Sequence, residues 1–442
     1  MLEKIKNKLG KDANLKELLS GSAITFLLKI SGMLLSYMVI IFIAKAYGAE
    51  GVGVYSLILS LMTFLAMASS MGLNFSLLRF VGQFNKSGEQ YKLRLLYVYA
   101  LQLALPLSIL ISVGLYCSAE MFALKIFKNP DYLKGLRLAS IGLPFFVLLN
   151  INVEYIRGLK LLRISEYFRS VNRPLLNLLL MLLLTSFMAL DQLPIYTLVF
   201  SIVATGVLSI VPVATRVRKL LKGDSHRFTK KELLTTSLPM LVTSIASFLL
   251  ANIALYLLEF FSTSQDVGLF SVAQKISLLV SLIVTVVNTM SAPKFSELYW
   301  AHRHEELQRL VKQSSKFIFT VSLVLSVLIA VISVPILSVF GSEFVSAQYA
   351  LLMLIAGQMV NAMSGSVGIF MNMTGRQKAL RNIALIACSI SLLLSTNLIP
   401  IYGANGAAFS MMFATMTFNV IAVVYVKRKT GFITYYLPYI AR

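Results

Sequence analysis

The sequence predicts an all-α polytopic membrane protein with about twelve transmembrane helices. They form two parallel six-helix lobes related by a pseudo-two-fold axis along the membrane normal. Three observations predict this: a composition too apolar for water, basic residues gathered in alternate loops, and an opening stretch that returns in the second half. Of 442 residues, 57% are hydrophobic and 13% charged. A hydrocarbon core of about 30 Å needs roughly 20 apolar residues per crossing, and a dozen such runs can be drawn along the chain.

The net charge of +22 would suit nucleic acid if the cations formed one patch. Instead, 33 of the 40 Lys and Arg fall in segments on one side of the predicted spans and 5 on the other, with Lys29 and Lys275 inside spans. This is the positive-inside pattern. It puts both termini in the cytoplasm, implies contact with anionic lipid head groups and argues against a nucleic-acid partner.

The repeat links residues 16–80 to 231–295, an ungapped offset of 215 with 13 identities in 65 positions. Lys16-Glu17-Leu18-Leu19 returns as Lys231-Glu232-Leu233-Leu234, Val52-Gly53 as Val267-Gly268, and Arg79-Phe80 as Lys294-Phe295. An offset near half the chain length points to one duplicated half. Both Lys-Glu-Leu-Leu copies lie on the cytoplasmic side, which requires an even number of crossings between them, and six satisfies that. Two halves of like orientation imply the arrangement of parallel-repeat transporters.

Taken in order, residues 1–20 read as a cytoplasmic amphipathic segment without the apolar core of a cleavable signal. Residues 21–215 form an N-lobe with spans at about 21–46, 53–72, 93–116, 137–157, 174–190 and 193–215. Gly48-Ala49-Glu50-Gly51 makes a tight hairpin between the first two, Pro106 marks a kink in the third, and the fourth holds Pro144. Residues 117–136 are the longest external connection and a basic one. Residues 216–234 are a basic cytoplasmic linker. A C-lobe over 235–427 repeats the plan, with spans at about 235–260, 268–292, 315–340, 347–373, 379–399 and 404–426. Residues 296–313 read as an amphipathic cytoplasmic helix, and 428–442 as a cytoplasmic tail.

No catalytic grouping emerges. His226, His302 and His304 lie in cytoplasmic segments without Cys or carboxylate clusters at metal spacing, Cys117 and Cys388 offer no disulfide framework, and a Walker A loop is absent. No cofactor or metal is expected. What remains is charge inside the membrane, a functional signal by default. Lys29 and Lys275 each lie seven or eight residues inside a span, and the repeat replaces each with Ser, at 244 and 60. The alternative for both is a lysine that snorkels to a head group. Lys45 reads as an anchor at the external end of the first span, and Arg79 as a topology signal kept in both halves. Glu154 and Arg157, three residues apart, suit one helix face, as a site pair or an interfacial ion pair. Glu259 reads as interfacial. Spans that offer cations in preference to carboxylates suit an anion, and within a membrane that suggests a lipid phosphate.

Ala44-Lys45-Ala46-Tyr47-Gly48-Ala49-Glu50-Gly51-Val52-Gly53-Val54-Tyr55, with Gly72-Leu73 and Arg79-Phe80, resembles the opening of polysaccharide-export flippases of the multidrug/oligosaccharidyl-lipid/polysaccharide (MOP) exporter superfamily. Lys45 stands for the family's usual Arg and Tyr47 for Leu. The stretch from Gly268 to Ile276 also looks like the family's eighth-helix motif. The resemblance implies a V-shaped cavity between two lobes, lined by basic residues. It further implies O-antigen-type flipping of an undecaprenyl-diphosphate-linked oligosaccharide across the bacterial cytoplasmic (inner) membrane, with the polysaccharide polymerase and chain-length machinery as partners of a monomeric transporter. On that reading the substrate-binding candidates are Lys29, Lys275, Lys45, Arg79, Glu154 and Arg157. The nearest rival is a cation-coupled multidrug exporter of the same superfamily. A membrane-embedded glycosyltransferase would need catalytic carboxylates or a large external loop.

Overall fold

The computed structural model describes residues 13–87, 89–185, 192–218 and 228–436. Among these residues all regular structure is helical: α1 Ala13–Ser69, α2 Leu73–Ser87, α3 Gln90–Glu120, α4 Asp131–Gly158, α5 Leu162–Glu166, α6 Arg173–Thr185, α7 Leu193–Leu208, α8 Ile210–Val217, α9 Lys230–Phe261, α10 Ser264–Trp300, α11 His304–Val331, α12 Ser333–Ser338, α13 Gln348–Met363, α14 Val367–Met373 and α15 Gln377–Thr430. Two π-turns, Met121–Ile126 and Tyr167–Asn172, extend α3 and precede α6.

Nine helical stretches among the described residues are long and apolar enough to cross a membrane. Two of them, α1 and α15, hold 57 and 54 residues, and at about 1.5 Å per residue each can cross twice. The predicted fifth span begins as α6, its remainder at 186–190 lying outside the described residues. Counted this way, the helices match the predicted dozen. The leading residues 1–12, the linker portion 219–227 and the tail end 437–442 also lie outside the described residues.

Each double-length helix breaks at one glycine. Gly48 interrupts α1 with φ 67°, ψ −169°, and Gly403 interrupts α15 with φ 51°, ψ −128°. Side chains rarely adopt such positive φ, whereas glycine does so freely. Both breaks carry the pentapeptide Tyr-Gly-Ala-Xaa-Gly, at 47–51 and 402–406. A carboxylate faces each. The Ala49 amide donates to Glu343 Oε1 at 2.8 Å, and a β-carbon at Gly403 would stand 2.6 Å from Asp266 Oδ2. Asp266 lies in the first turn of α10, where its amide donates to the Thr263 hydroxyl at 3.2 Å in a side-chain cap.

Contacts divide the chain into two compact units, residues 1–41 with 58–244 and residues 42–57 with 245–442. Inside the first, α4 is the hub. Asn152, fully buried, accepts from the Tyr97 hydroxyl at 2.8 Å and donates to Ser209 Oγ at 2.8 Å. This ties α3, α4 and the α7–α8 junction together, because an interhelical polar pair replaces groups that lipid would leave unsatisfied. Inside the second unit the break segment of α1 crosses the start of α10 backbone to backbone. A β-carbon at Gly53 would overlap the Ser264 carbonyl, and one at Gly268 would overlap the Ala49 carbonyl. Since 268 and 264 are 53 and 49 plus 215, each glycine meets the repeat counterpart of the other's neighbour. That reciprocity is what a two-fold relation between the two segments requires.

The structure differs from the sequence reading at three places. The predicted span 347–373 is broken: α13 stops at Met363, Gly365 takes φ 64°, and α14 restarts at Val367. The predicted helix 296–313 is the end of α10 and the start of α11, separated by a turn in which His302 adopts φ 56°. The connection 117–136, predicted to be external, is largely helical, continuing α3 through its π-turn to Ile126.

Candidate functional site

In the first unit the structure gathers charge around Glu154. This carboxylate, its side chain 12% exposed, takes an ion pair from Arg169 at 2.5 Å and a longer one from Arg157 at 3.7 Å. Arg157 follows one turn later on α4, as the i, i+3 spacing requires. Arg169 comes from the π-turn, whose extra residue per turn redirects side chains that a regular helix would align otherwise. Within the same turn Ser170 donates to Glu166. Arg169 was not singled out in the sequence, because fifteen positions separate it from its partner and no helical spacing links them. Its signal was only membership of the basic connection after the fourth span.

The π-turn also meets α1. A β-carbon at Gly32 would overlap the Ser170 carbonyl, so only glycine allows the helix to approach this closely. Lys29, one turn before Gly32, is exposed. It stands one turn from the point where α1 touches the element carrying Arg169. Arg79, also exposed, lays its guanidinium 5.8 Å from the Phe80 ring centroid, and Phe80 packs with Phe84 and Phe228 in an aromatic cluster. Arg79 thus lies against this aromatic cluster.

Two candidates belong to the second unit. Lys45 is exposed on α1, three residues before the Gly48 break. Lys275 is half-buried on α10 and takes part in side-chain interactions. Its neighbour Gln274 donates to the Ala251 carbonyl at 2.9 Å and to Met411 Sδ at 3.3 Å, which binds α10 to α9 and α15. Glu259, read from the sequence as interfacial, is 3% exposed and accepts from Ser264 Oγ at 2.8 Å, closing the α9–α10 turn.

Chemically, the first-unit group holds two guanidiniums against one carboxylate, a net positive charge at a partly exposed place. Guanidinium presents its donors as a planar fork that matches phosphate oxygens two at a time. Among the described residues no group of three or more His, Cys, Asp or Glu could hold a metal ion.

Comparison with known proteins adds the family context. The polysaccharide biosynthesis protein family matches residues 18–299. No curated protein matches the chain. Among solved structures, the lipid II flippase MurJ in an inward closed conformation superposes with a TM-score of 0.74 at 14% identity, covering 92% of this chain and 87% of that one. An inward-facing multidrug resistance MATE family transporter of the MOP superfamily gives 0.71 at 14% identity, covering 94% of both chains. A MOP superfamily transporter from Pyrococcus furiosus, described as having a binding pocket of reverse polarity, gives 0.66 at 15% identity, with 93% and 95% covered. These likenesses show a shared fold, the twelve-helix, two-lobe fold of the superfamily.

Proposed function

Because the chain belongs to the polysaccharide biosynthesis protein family of multi-pass membrane transporters, we propose that it flips an undecaprenyl-diphosphate-linked oligosaccharide, an O-antigen or similar repeat unit. The direction is from the cytoplasmic to the outer leaflet of the bacterial inner membrane, by alternating access. The observation that carries this reading is the cationic group of the first unit, Arg157 and Arg169 around the carboxylate of Glu154, with Lys29 one turn from where α1 touches the element carrying Arg169; Lys275 adds a cation inside a predicted span of the second unit. A diphosphate is the polyanion such a set would take, while the sugar stays in water and the prenyl tail in lipid. An inside-negative potential favours outward movement of an anion by about 2.3 kcal/mol per charge per 100 mV. Both termini and the 216–234 linker would then lie in the cytoplasm. Partners on this reading are anionic lipids, the polymerase and the chain-length machinery.

The test is surface glycan in a strain lacking the native protein, normalised to variant in the membrane. Lys29→Ala and Lys275→Ala should each abolish export, and the Arg versions should keep part of it, since a charge-assisted contact to phosphate survives that exchange. Near-normal glycan from both Ala variants would remove the lysines from the reading and leave them as snorkelling anchors.

A cation-coupled multidrug exporter is the second reading, and one observation favours it. Glu259 is a carboxylate buried in a predicted span, the kind of group that binds a coupling ion. Its bond to Ser264 five residues on supports a role in the α9–α10 turn instead. Glu259→Gln separates the two: the flippase reading expects export retained, and the coupled reading expects loss of cation-driven transport.

A further inference from the structure

Residues 431–436, which follow α15, stay against the fold. Gly431 caps the helix with φ 76° and nothing within 4 Å of where its β-carbon would be. Residues 431–436 then run extended along α11, all within the second unit. Over residues 432–434 burial alternates as in a strand. Phe432 is 7% and Thr434 1% exposed, whereas Ile433 between them is 40% exposed. Such alternation is the period of extended backbone with one face against protein.

The contacts resemble a bound peptide. The Gln308 side-chain amide pairs with both backbone groups of Ile433, donating to its carbonyl at 3.0 Å and accepting from its amide at 2.9 Å. Ser315 Oγ donates to the Thr434 carbonyl at 2.5 Å. The Tyr436 amide donates to the carbonyl of Met363, the last residue of α13, at 2.9 Å. Ring contacts anchor both ends of the segment, Phe432 between His304 and Phe370, and Tyr436 on Phe319. His304, Gln308, Ser315 and Phe319 share one face of α11, because their spacings of four, seven and four residues keep to one stripe. The α13–α14 turn completes the groove, since Gly365 leaves the Thr434 carbonyl only enough room for a hydrogen. From Ser315 onward the groove lies inside the predicted span, where non-helical backbone survives only when protein satisfies it.

Two features make this a detachable ligand rather than a permanent part of the core. The pivot is a glycine in open space, and the fit is incomplete. The hydroxyls of Thr434 and Ser366 are buried without hydrogen-bond partners among the described residues, a cost that release to water removes. We propose that residues 432–436 are a releasable strap, a peptide ligand carried by the chain itself. It ties α11 to the α13–α14 turn, and it leaves its groove when those elements part during transport. The last clause rests on the transport reading; the groove and its occupant do not.

The test uses the purified chain with Cys117→Ser and Cys388→Ser. In that background Ser315→Cys should react slowly with a maleimide. Stopping the chain after Gly431, or adding Gln308→Ala to the full-length chain, should speed labelling by at least about tenfold, the ratio for 1.4 kcal/mol of strap binding. Equal rates with and without the strap, or no labelling in either, would overturn the proposal. This arm needs no substrate and so fails or succeeds apart from the flippase reading. In the second arm, Ser315→Cys and Thr434→Cys are joined by a reducible bifunctional thiol reagent. Transport should stop and return on reduction, whereas undiminished transport by the joined chain would show a permanent tie.

Discussion

Replacing Glu154 with Gln removes one negative charge while keeping the length of the side chain and one acceptor oxygen. The Arg169 contact at 2.5 Å is a charge-assisted hydrogen bond, of a kind contributing about 1.5–3 kcal/mol. The Arg169 side chain is 38% exposed, so water recovers part of that, and the loss falls to roughly 1–2 kcal/mol. Arg157, 3.7 Å away and 45% exposed, adds a few tenths of a kcal/mol at most. At roughly 2–4 °C per kcal/mol for a unit of this size, the apparent Tm of the detergent-purified protein should fall by roughly 2–8 °C. Arg169→Ala should produce a similar fall and Arg157→Ala a much smaller one. In the Glu154→Gln, Arg169→Ala double variant the losses should not add, because both remove the same bond. An unchanged Tm in Glu154→Gln, or additive losses in the double variant, would refute the claim that this pair holds α4 to the π-turn.

Three further outcomes follow. In intact cells of a Cys117→Ser, Cys388→Ser strain, Glu50→Cys should label with an impermeant thiol reagent and Gly223→Cys should be protected; equal labelling would overturn the orientation read from the charge pattern. Glu343→Ala should lower the Tm by an amount matching about 1–2 kcal/mol, because the Ala49 amide at the Gly48 break loses its carboxylate acceptor, and Glu343→Gln should recover much of it. Gly48→Ala should cost about 1 kcal/mol or more for its left-handed φ, measured in the same melt, and a neutral result would mean the break can relax into the helix.

The spans were legible because lipid imposes a length and a composition that can be read without knowing any contact. The hairpin at Gly48 was legible from its run of small and polar residues. Its companion at Gly403 was not, although Tyr402-Gly403-Ala404-Asn405-Gly406 repeats the same words, because it falls outside the 215-residue register that defines the halves. The break at Gly365 was hidden inside an apolar run, where one glycine does not distinguish a broken helix from a whole one. At the site, Arg157 followed from helical spacing. Arg169 required a π-turn that no periodicity announces. The strap reads in sequence as six residues of an ordinary tail, Gly431-Phe432-Ile433-Thr434-Tyr435-Tyr436. Its run of β-branched and aromatic residues was the available sign of extended backbone, and its partners on α11 lie more than a hundred positions upstream.

The crossing of Gly53 and Gly268 has a mechanical consequence. Where helices mesh through side chains, changing their angle means lifting knobs out of holes and losing contacts all along the seam. Here main chain rests on main chain, with no β-carbon between, so the two helices share a bearing rather than a gear. What holds them there is close backbone approach, with no side-chain interlock to be lifted out if their angle changes. A methyl group at either position would overlap the opposing carbonyl and turn the bearing into a wedge that forces the two backbones apart.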